Sequence, residues 1–498
     1  MVDLLLIIPL VGYLSVLLAV GFFSSRAIKT HEDYYMGGKK IPGWALALSE
    51  RSTDMSAWLI ISVPALSYLY GTSALWVPLG CYIGSMIQWV FYSKRFMEEQ
   101  EKYGAVTAVD YLAKKHPGGA VGIRVLGAAT CFLFYIFYVS AQFAGGGRVM
   151  GVFGVSFTVG MVAAAIIIIG YCMAGGFISV VWTDVLQALL MLVTLGIVPI
   201  IGLMEIRSRG LSIFLTLSQM GSSMISPFGG KSGMAAGLFL GNSLSWIFGY
   251  MGGEPHFFIR HMAIRSERER KSALIIAMVW GAITTFGAWI LGVISLTLFS
   301  SESAFGVAHS ELTEGVAEGI LPMTITALVP PVIAGILLAG VIAGMMSTAD
   351  SQLLVASSAI SEDLYHNVIM GGKKVREKHL IWISRLTTLV IGALAFAFVY
   401  FQENVVYNLV SYGWAGLAGA FAPSITLSLF WKKFSKAGVY ASFISGIVVT
   451  VLWISTGFDS AISVRLVSFI LPFAAAILAS LAFPGGLDEK IESREEKQ

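Results

Sequence analysis

The sequence predicts an all-α polytopic membrane protein with about thirteen transmembrane helices, and three observations lead to this fold class. Hydrophobic residues make up 56% of the 498 residues and charged residues only 12%, about half the charged share of a soluble domain. Apolar runs of about 20 residues or more, long enough to cross a hydrocarbon core, recur along the chain. Two of these runs, five runs apart, carry polar or glycine-rich interruptions, as expected of an inverted repeat.

The first predicted helix is the N-terminal run, which lacks the basic region and the small-residue cleavage site of a signal peptide. The ninth run is expected to start with a short surface piece before its apolar part. The predicted spans are residues 3–24, 43–70, 73–97, 122–150, 155–175, 178–205, 234–262, 272–300, 318–356, 381–402, 405–431, 437–456 and 463–483.

The connections between the runs alternate in charge. One set is rich in Lys and Arg and includes RHMAIRSERERK and WKKFSK, whereas the other set includes the acidic stretch SSESAFGVAHSELTEG. Because basic residues accumulate on the cytoplasmic side, the N-terminus is predicted to lie outside and the C-terminus in the cytoplasm. The short loops favour a prokaryotic inner membrane.

The two interrupted runs are the second and the seventh. In the second, the stretch SERSTDMS places Glu50, Arg51 and Asp54 among apolar residues, where each charge needs a partner, a water-filled cavity or a function. In the seventh, glycines and Pro255 interrupt GNSLSWIFGYMGGEPHF. Glycine and proline also serve ordinary packing and kinks. A matched pair of broken helices favours transport, because unwound carbonyls can bind a cation and half-helix N-termini an anionic group.

Hydroxyl groups that suit a hard cation occur in MSTADSQ, where Ser347, Thr348 and Ser351 accompany Asp350. Hard cations prefer oxygen ligands. The alternative is local bonding of these hydroxyls to carbonyls one turn back, which does not account for Asp350, since a carboxylate there needs a cation or a proton. Asp184 interrupts another apolar run, with an interfacial position as its alternative.

Four stretches resemble the sodium/solute symporter family: STDMSAWL, GGFISVVWTDVLQ, MSTADSQLLVASSAISEDLY and LVSYGWAGLAGAFAP. The resemblance extends over essentially the whole chain and is greatest to the bacterial proline carriers of the family. It implies a leucine-transporter-type core at residues 43–431, built from two inverted five-helix repeats at 43–205 and 234–431. Residues 1–42 would add one helix and a loop, and residues 432–498 two helices and a cytoplasmic tail.

The resemblance also implies the coupling ion, Na⁺, and its ligands. One sodium site would consist of the carbonyls of Ser52, Met55 and Gly344 with the side chains of Ser347 and Thr348. A second site, present in some members, maps to Asp184, Ser347, Asp350 and Ser351. Two aspartates there depart from the family pattern, so that the site either binds a cation avidly or shares one proton between the carboxylates. Asp54 is expected to hold the break together without touching the ion.

The substrate pocket of the proline carriers maps to a mostly aromatic set: Ser56, Ala57, Trp58, Tyr138, Trp246, Tyr250 and Pro255. An aromatic box suits a pyrrolidine ring, although each aromatic residue alone is more typical of interfacial or packing positions. Ala57 stands where those carriers have glycine, which predicts a pocket narrower by one methyl group, and one extra residue precedes Glu254. The implied function is Na⁺-coupled uptake of L-proline. The alternative is Na⁺ or H⁺ symport of another amino acid or small organic solute.

Other classes of protein find no support in the sequence. The seven histidines form no metal-binding motif and there is no phosphate loop or nucleophile motif, so an enzyme is not expected. Neither nucleic acid nor an obligate protein partner is indicated. Glu50 and Arg51 stand where the proline carriers have small neutral residues. They are expected to pair with each other or with a neighbouring helix, either as a gate on the cytoplasmic path or as a structural ion pair.

Overall fold

The computed structural model describes residues 4–25, 36–173, 176–299, 305, 309–373, 375–401 and 405–484. Within these residues all regular secondary structure is helical, and ten helices are long and apolar enough to cross a membrane by length and composition. The all-α fold class is therefore confirmed. The uninterrupted long helices are Leu4–Ser25, Ala120–Met150, Phe177–Ser208, Glu267–Leu298, Pro331–Ser358, Glu377–Phe401, Val406–Phe430, Lys436–Ser455 and Val464–Ala482.

The remaining predicted spans consist of shorter helices in series or of single short helices. The α-helices of this group are Gly43–Asp54, Val63–Tyr70, Trp76–Ile87, Ser93–Tyr103, Ala108–Lys115, Phe157–Cys172, Ile213–Met220, Ser222–Ile225, Gly233–Leu244, Pro255–Met262, Glu314–Ala317 and Ile320–Leu328. Three π-helical segments occur at Trp58–Ser62, Gln88–Tyr92 and Ala359–Ile369. Each of the thirteen predicted spans thus coincides with a helix or with helical segments in series.

The first broken helix consists of an inner half, Gly43–Asp54, and an outer half, Val63–Tyr70, named after the predicted orientation of the chain. Its interruption is shorter than the sequence suggests: the chain turns at Met55, and the π-helical segment Trp58–Ser62 then continues the helix. Pro64 lies in the first turn of the outer half. Because proline lacks an N–H and its ring displaces the carbonyl four residues earlier, it disturbs the regular α-helical bonding at the π segment.

The second broken helix consists of Gly233–Leu244 and Pro255–Met262, joined by the 3₁₀ segment Ser245–Tyr250 and four non-helical residues. Gly252 has φ +83°, a conformation that side chains disfavour, and a Cβ there would lie 2.4 Å from Cγ2 of Ile425. Pro255 starts the inner half-helix, where a missing N–H costs nothing. This helix is interrupted more completely than the first.

The two broken helices lie in the centre of the bundle: the first packs against Phe177–Ser208, Glu267–Leu298 and Pro331–Ser358, and the second against Pro331–Ser358 and Val406–Phe430. Small residues let these helices approach closely. A Cβ on Gly344 would lie 2.2 Å from Cδ1 of Ile60 on the first broken helix. The short piece expected before Pro331–Ser358 is a helix, Ile320–Leu328, with one face buried against the bundle.

Candidate ion and substrate site

Two neighbouring hydroxyls connect the helix Pro331–Ser358 to the first broken helix. Ser347 Oγ donates to the carbonyl of Ser52 at 2.9 Å, and Thr348 Oγ1 donates to the carbonyl of Thr53 at 2.7 Å. Both hydroxyls also lie within hydrogen-bond distance of the Gly344 carbonyl, at 3.1 and 3.0 Å. The structure therefore brings four of the five residues of the first predicted sodium site together.

Met55, the fifth residue, makes no hydrogen bond with either of these hydroxyls, and its predicted role as a carbonyl ligand stays a prediction. The carbonyl opposite Thr348 is that of Thr53, and the thioether of Met55 lies 3.9 Å from Thr284 Oγ1. Thr53 takes this position because the inner half-helix continues to Asp54 before it turns. A hydroxyl can rotate its hydrogen away and offer lone pairs, so the three carbonyls and two hydroxyls form an oxygen-lined position between two helices that suits a hard cation.

The second predicted sodium position lies beside a guanidinium group. Arg260 Nη2 is 2.9 Å from Asp184 Oδ2, donates to Thr53 Oγ1 at 2.9 Å and also donates to Ser351 Oγ. Ser49 completes the cluster: its hydroxyl donates to Asp184 at 2.6 Å and accepts from Arg260 Nε at 2.7 Å. A positive charge of the chain itself thus stands among the oxygens that the second site requires.

Arg260 has a different role from the one that its sequence position suggested. The residue belongs to a basic connection that was interpreted as cytoplasmic loop, whereas its side chain is 2% exposed. Asp350 lies next to the same cluster: its Oδ1 accepts from Ser351 at 3.3 Å and its Oδ2 has no hydrogen-bond partner. The sequence alone does not reveal this role of Arg260, because an arginine in the half-helix Pro255–Met262, just before a basic loop, is also typical of loop ends.

The predicted aromatic residues form one cluster. Trp58 stacks on Trp246 with ring centroids 5.0 Å apart and an interplanar angle of 14°. Trp414 connects the rest, with centroid distances of 5.5 Å to Trp246, 5.0 Å to Tyr250 and 6.5 Å to Tyr138. Trp414 lies within the family-like stretch LVSYGWAGLAGAFAP but was not singled out, because an isolated tryptophan in an apolar run is more often a packing residue.

The remaining predicted substrate residues surround this cluster. Ser56 Oγ accepts from the backbone N–H of Trp58 at 3.3 Å, and the N–H of Ala57 donates to Gln142 Oε1 at 2.9 Å. The methyl group of Ala57 faces Gly145, where an added Cβ would lie 2.8 Å from it. The extra methyl therefore packs between helices. Pro255 stands at the start of the inner half-helix.

The three charges of SERSTDMS form a single buried network. Arg51 makes a two-pronged contact with Glu50, at 2.7 and 2.8 Å, and its Nη1 lies 3.1 Å from Asp54 Oδ2. Trp89 donates to Glu50 at 3.1 Å, and Tyr250 donates to Asp54 at 2.7 Å. Each charge therefore has a partner, and the bond from Tyr250 links the two broken helices, as expected of a residue that holds the break together.

Polar contacts border the aromatic cluster at Trp246. Trp246 Nε1 donates to Tyr407 Oη at 3.4 Å, and the guanidinium carbon of Arg465 lies 4.4 Å above the Trp246 ring. A cleft of about 360 Å³ opens above these residues and includes Asn242 and Glu314 in its lining. Tyr407 and Arg465 line this cleft and also contact Trp246, so they connect the cleft to the cluster.

The chain is similar to known proteins over most of its length. A model of the sodium:solute symporter family matches residues 34–446. The osmoregulated proline transporter OpuE of Bacillus subtilis is 31% identical over 480 residues, 96% of this chain and 94% of the relative. The sodium/proline symporter of Escherichia coli is 32% identical over 443 residues, 89% of this chain and 86% of the relative.

Two solved structures show the same fold. A Na⁺-coupled sialic acid symporter, in a substrate-bound outward-open state, superposes with a TM-score of 0.79 at 22% identity and covers 98% of this chain and 99% of its own. MhsT in complex with L-phenylalanine gives 0.52 at 15% identity, with 88% and 98% covered. Both have the leucine-transporter fold, which confirms the expected architecture.

Proposed function

The chain belongs to the sodium:solute symporter family, and we propose that it carries L-proline into the cell together with Na⁺. Membership establishes a multi-pass, Na⁺-coupled solute symporter; the proline specificity is the proposal. The observation that carries the coupling is the contact of Ser347 and Thr348 with the carbonyls of Ser52 and Thr53, because this oxygen-lined position spans two helices that alternating access would separate.

The ion position and the aromatic cluster share one segment of chain. Thr53 contributes a carbonyl to the first, and Trp58, five positions later, stacks in the second. A bound cation would hold the turn at Met55 against the helix Pro331–Ser358 and so orient Trp58. Coupling requires that each ligand favour the same arrangement of the protein, and this shared segment supplies a direct connection between the two ligands.

The aromatic cluster supports a compact solute with an apolar ring. Trp58, Trp246, Trp414, Tyr138 and Tyr250 offer flat apolar faces, and the curated relatives carry proline in their names. The second candidate is Na⁺ or H⁺ symport of another amino acid or small organic solute, since identities of about 30% leave room for a different solute.

The arrangement in the membrane follows from the sequence interpretation. We assign residues 43–431 to the transport core, place the N-terminus outside and the C-terminus in the cytoplasm, and assign the protein to a prokaryotic inner membrane. The alternation of basic loops supports this orientation, and the bacterial relatives support the membrane. Membership of a transporter family supports a role without catalysis.

A competition experiment tests the substrate assignment. Purified protein would be incubated with labelled L-proline in NaCl or in choline chloride, together with an excess of unlabelled amino acids, sugars or carboxylates. We expect Na⁺-dependent binding that proline displaces best. Displacement by another solute at lower concentration than proline would support the second candidate, and equal binding in choline chloride would contradict sodium coupling.

A further inference from the structure

Glu254 is a buried carboxylate at the break of the second broken helix. It occupies the N-cap position of the inner half-helix Pro255–Met262 without a side-chain capping bond. Its side chain is 1% exposed, and neither of its carboxylate oxygens has a hydrogen-bond partner. His256 Nδ1 lies 3.4 Å from Oε2, but the same nitrogen contacts the hydroxyl of Tyr135 at 3.1 Å. A buried charge without such bonds is costly, so a partner from outside the chain is expected.

Three other central carboxylates are compensated by guanidinium groups of the chain. Arg51 lies within 3.1 Å of both Glu50 and Asp54, and Arg260 lies 2.9 Å from Asp184. Among the buried carboxylates of the described residues, Glu254 differs in that both of its oxygens lack a hydrogen bond. Guanidinium groups therefore account for these three acids, and Asp350 accepts one hydrogen bond from Ser351, whereas Glu254 has neither a guanidinium partner nor a hydrogen bond.

Further unpaired polar atoms lie around the same break. The hydroxyl of Tyr138, Nε2 of His256 and Nε1 of Trp414 are buried without hydrogen-bond partners. The Tyr138 ring lies 6.2 Å from the His256 ring and 6.5 Å from the Trp414 ring. A Cβ on Gly253 would lie 2.7 Å from Cα of Ala418, one turn after Trp414. Buried polar atoms are rarely left unpaired, so this cluster is arranged for a ligand that both donates and accepts.

We propose that Glu254 binds the positively charged nitrogen of the transported solute. The inference rests on the proposed function and narrows it: the substrates are amino acids or other solutes with a cationic nitrogen. Na⁺ would need several oxygen ligands, which the Ser347 and Thr348 position offers. Around Glu254 there are aromatic faces, which attract organic cations. The indole N–H of Trp414 and the hydroxyl of Tyr138 can donate to the carboxylate of a zwitterion.

The test compares L-proline with cyclopentanecarboxylate, which has the same ring and carboxylate but no nitrogen, in binding to the full-length protein. For Glu254→Gln we expect the affinity for proline to fall by about thirtyfold or more, while the affinity for the carbocyclic acid changes little. The Na⁺-dependent rise in thermal midpoint without solute should persist. Glu205→Gln is the matched control, because Glu205 is 37% exposed and pairs with Arg209 at 2.7 Å.

Several results would overturn the proposal. One is a wild-type protein that binds the carbocyclic acid as tightly as proline. Another is a Glu254→Gln variant in which the affinity for proline relative to the carbocyclic acid equals that of the wild type. If the thermal midpoint of that variant is also lowered, Glu254 belongs to a structural pair with His256. If Glu254→Gln does not accumulate, Glu254→Asp replaces it, with a smaller loss of proline affinity expected in the same direction.

The outcomes also separate this proposal from the proline assignment. If the wild-type protein does not bind proline but binds another amine-bearing solute, and Glu254→Gln weakens that binding by a similar factor, the role of Glu254 is supported and proline is rejected. A wild-type protein that binds only solutes without a cationic nitrogen rejects the role of Glu254 and leaves sodium coupling to its own test.

Discussion

The guanidinium of Arg260 lies 2.9 Å from the carboxylate of Asp184 in the centre of the bundle. These residues are far apart in the sequence, and the fold places them together beside Thr53 and Ser351. The positive charge that a second sodium ion would supply to Asp184 is therefore already provided by the chain. This arrangement predicts one Na⁺ per transported solute, whereas an occupied second sodium site would require two.

Replacement of Arg260 tests this prediction. In Arg260→Gln the carboxylate of Asp184 is left buried without its cation, a change that costs about 3–5 kcal/mol, so we expect a clearly lower thermal midpoint in sodium-free buffer. Because an ion that binds only the folded state stabilises it, added Na⁺ should recover part of this loss. The measurement is thermal unfolding in detergent over a range of NaCl concentrations.

The control is Arg268→Gln, because the side chain of Arg268, in the first turn of the helix Glu267–Leu298, is exposed. It should behave as the wild type does. A wild-type stoichiometry of two Na⁺ per solute, or an Arg260→Gln variant whose midpoint depends on Na⁺ as in the wild type, would show that Arg260 does not replace an ion.

The hydroxyl of Thr348 is expected to be a sodium ligand. Thr348→Ala removes the group that donates to the Thr53 carbonyl at 2.7 Å, and we expect the apparent Na⁺ affinity to fall about tenfold, equivalent to 1.4 kcal/mol, with the order of preferred solutes unchanged. Thr348→Ser keeps the hydroxyl and should restore most of the affinity. Uptake measured against Na⁺ concentration decides the question. Equal Na⁺ dependence of the alanine variant and the wild type would assign the hydroxyl a structural role.

The pair of Glu50 and Arg51 is expected to stabilise the inner half-helix. Arg51→Gln leaves Glu50 buried without its two-pronged partner, so we expect a lower thermal midpoint and reduced uptake. The double variant Glu50→Gln/Arg51→Gln removes both charges at similar volume and should recover part of the midpoint, because a buried pair contributes little more than neutral residues do. Recovery stays partial since Asp54 also loses Arg51 and keeps only its bond from Tyr250. A double variant that is stable but still transports poorly would instead indicate a gate on the cytoplasmic path.

Much of the fold could be predicted from the sequence, for a physical reason. The membrane requires long apolar runs and internally bonded helices, and both leave a direct signature in the order of residues. The helical nature and approximate position of all thirteen spans follow from that signature. The depth of the first interruption does not: whether the chain unwinds or turns once at Met55 depends on how the π-helical segment before Val63 packs against its neighbours.

From the sequence, only those parts of the candidate site that lie in local motifs could be predicted. Ser347 and Thr348 stand out as adjacent hydroxyls in an apolar run, and the structure places them against the broken helix. Arg260, Trp414 and Glu254 were missed or left without a role, because their meaning depends on partners that the fold brings from distant helices. Charge at a loop end and tryptophan in a span are common, and a sequence does not show whether such a side chain turns inward.

Sodium-driven accumulation of proline tests the central claim most directly. Purified protein in proteoliposomes would receive labelled L-proline under an inward Na⁺ gradient, under a pH gradient alone, or without a gradient. We predict accumulation above the external concentration only with the Na⁺ gradient, and its collapse when an ionophore dissipates that gradient. Equal accumulation under the pH gradient alone, or failure to accumulate proline with the Na⁺ gradient while another solute accumulates, would contradict a sodium/proline symporter.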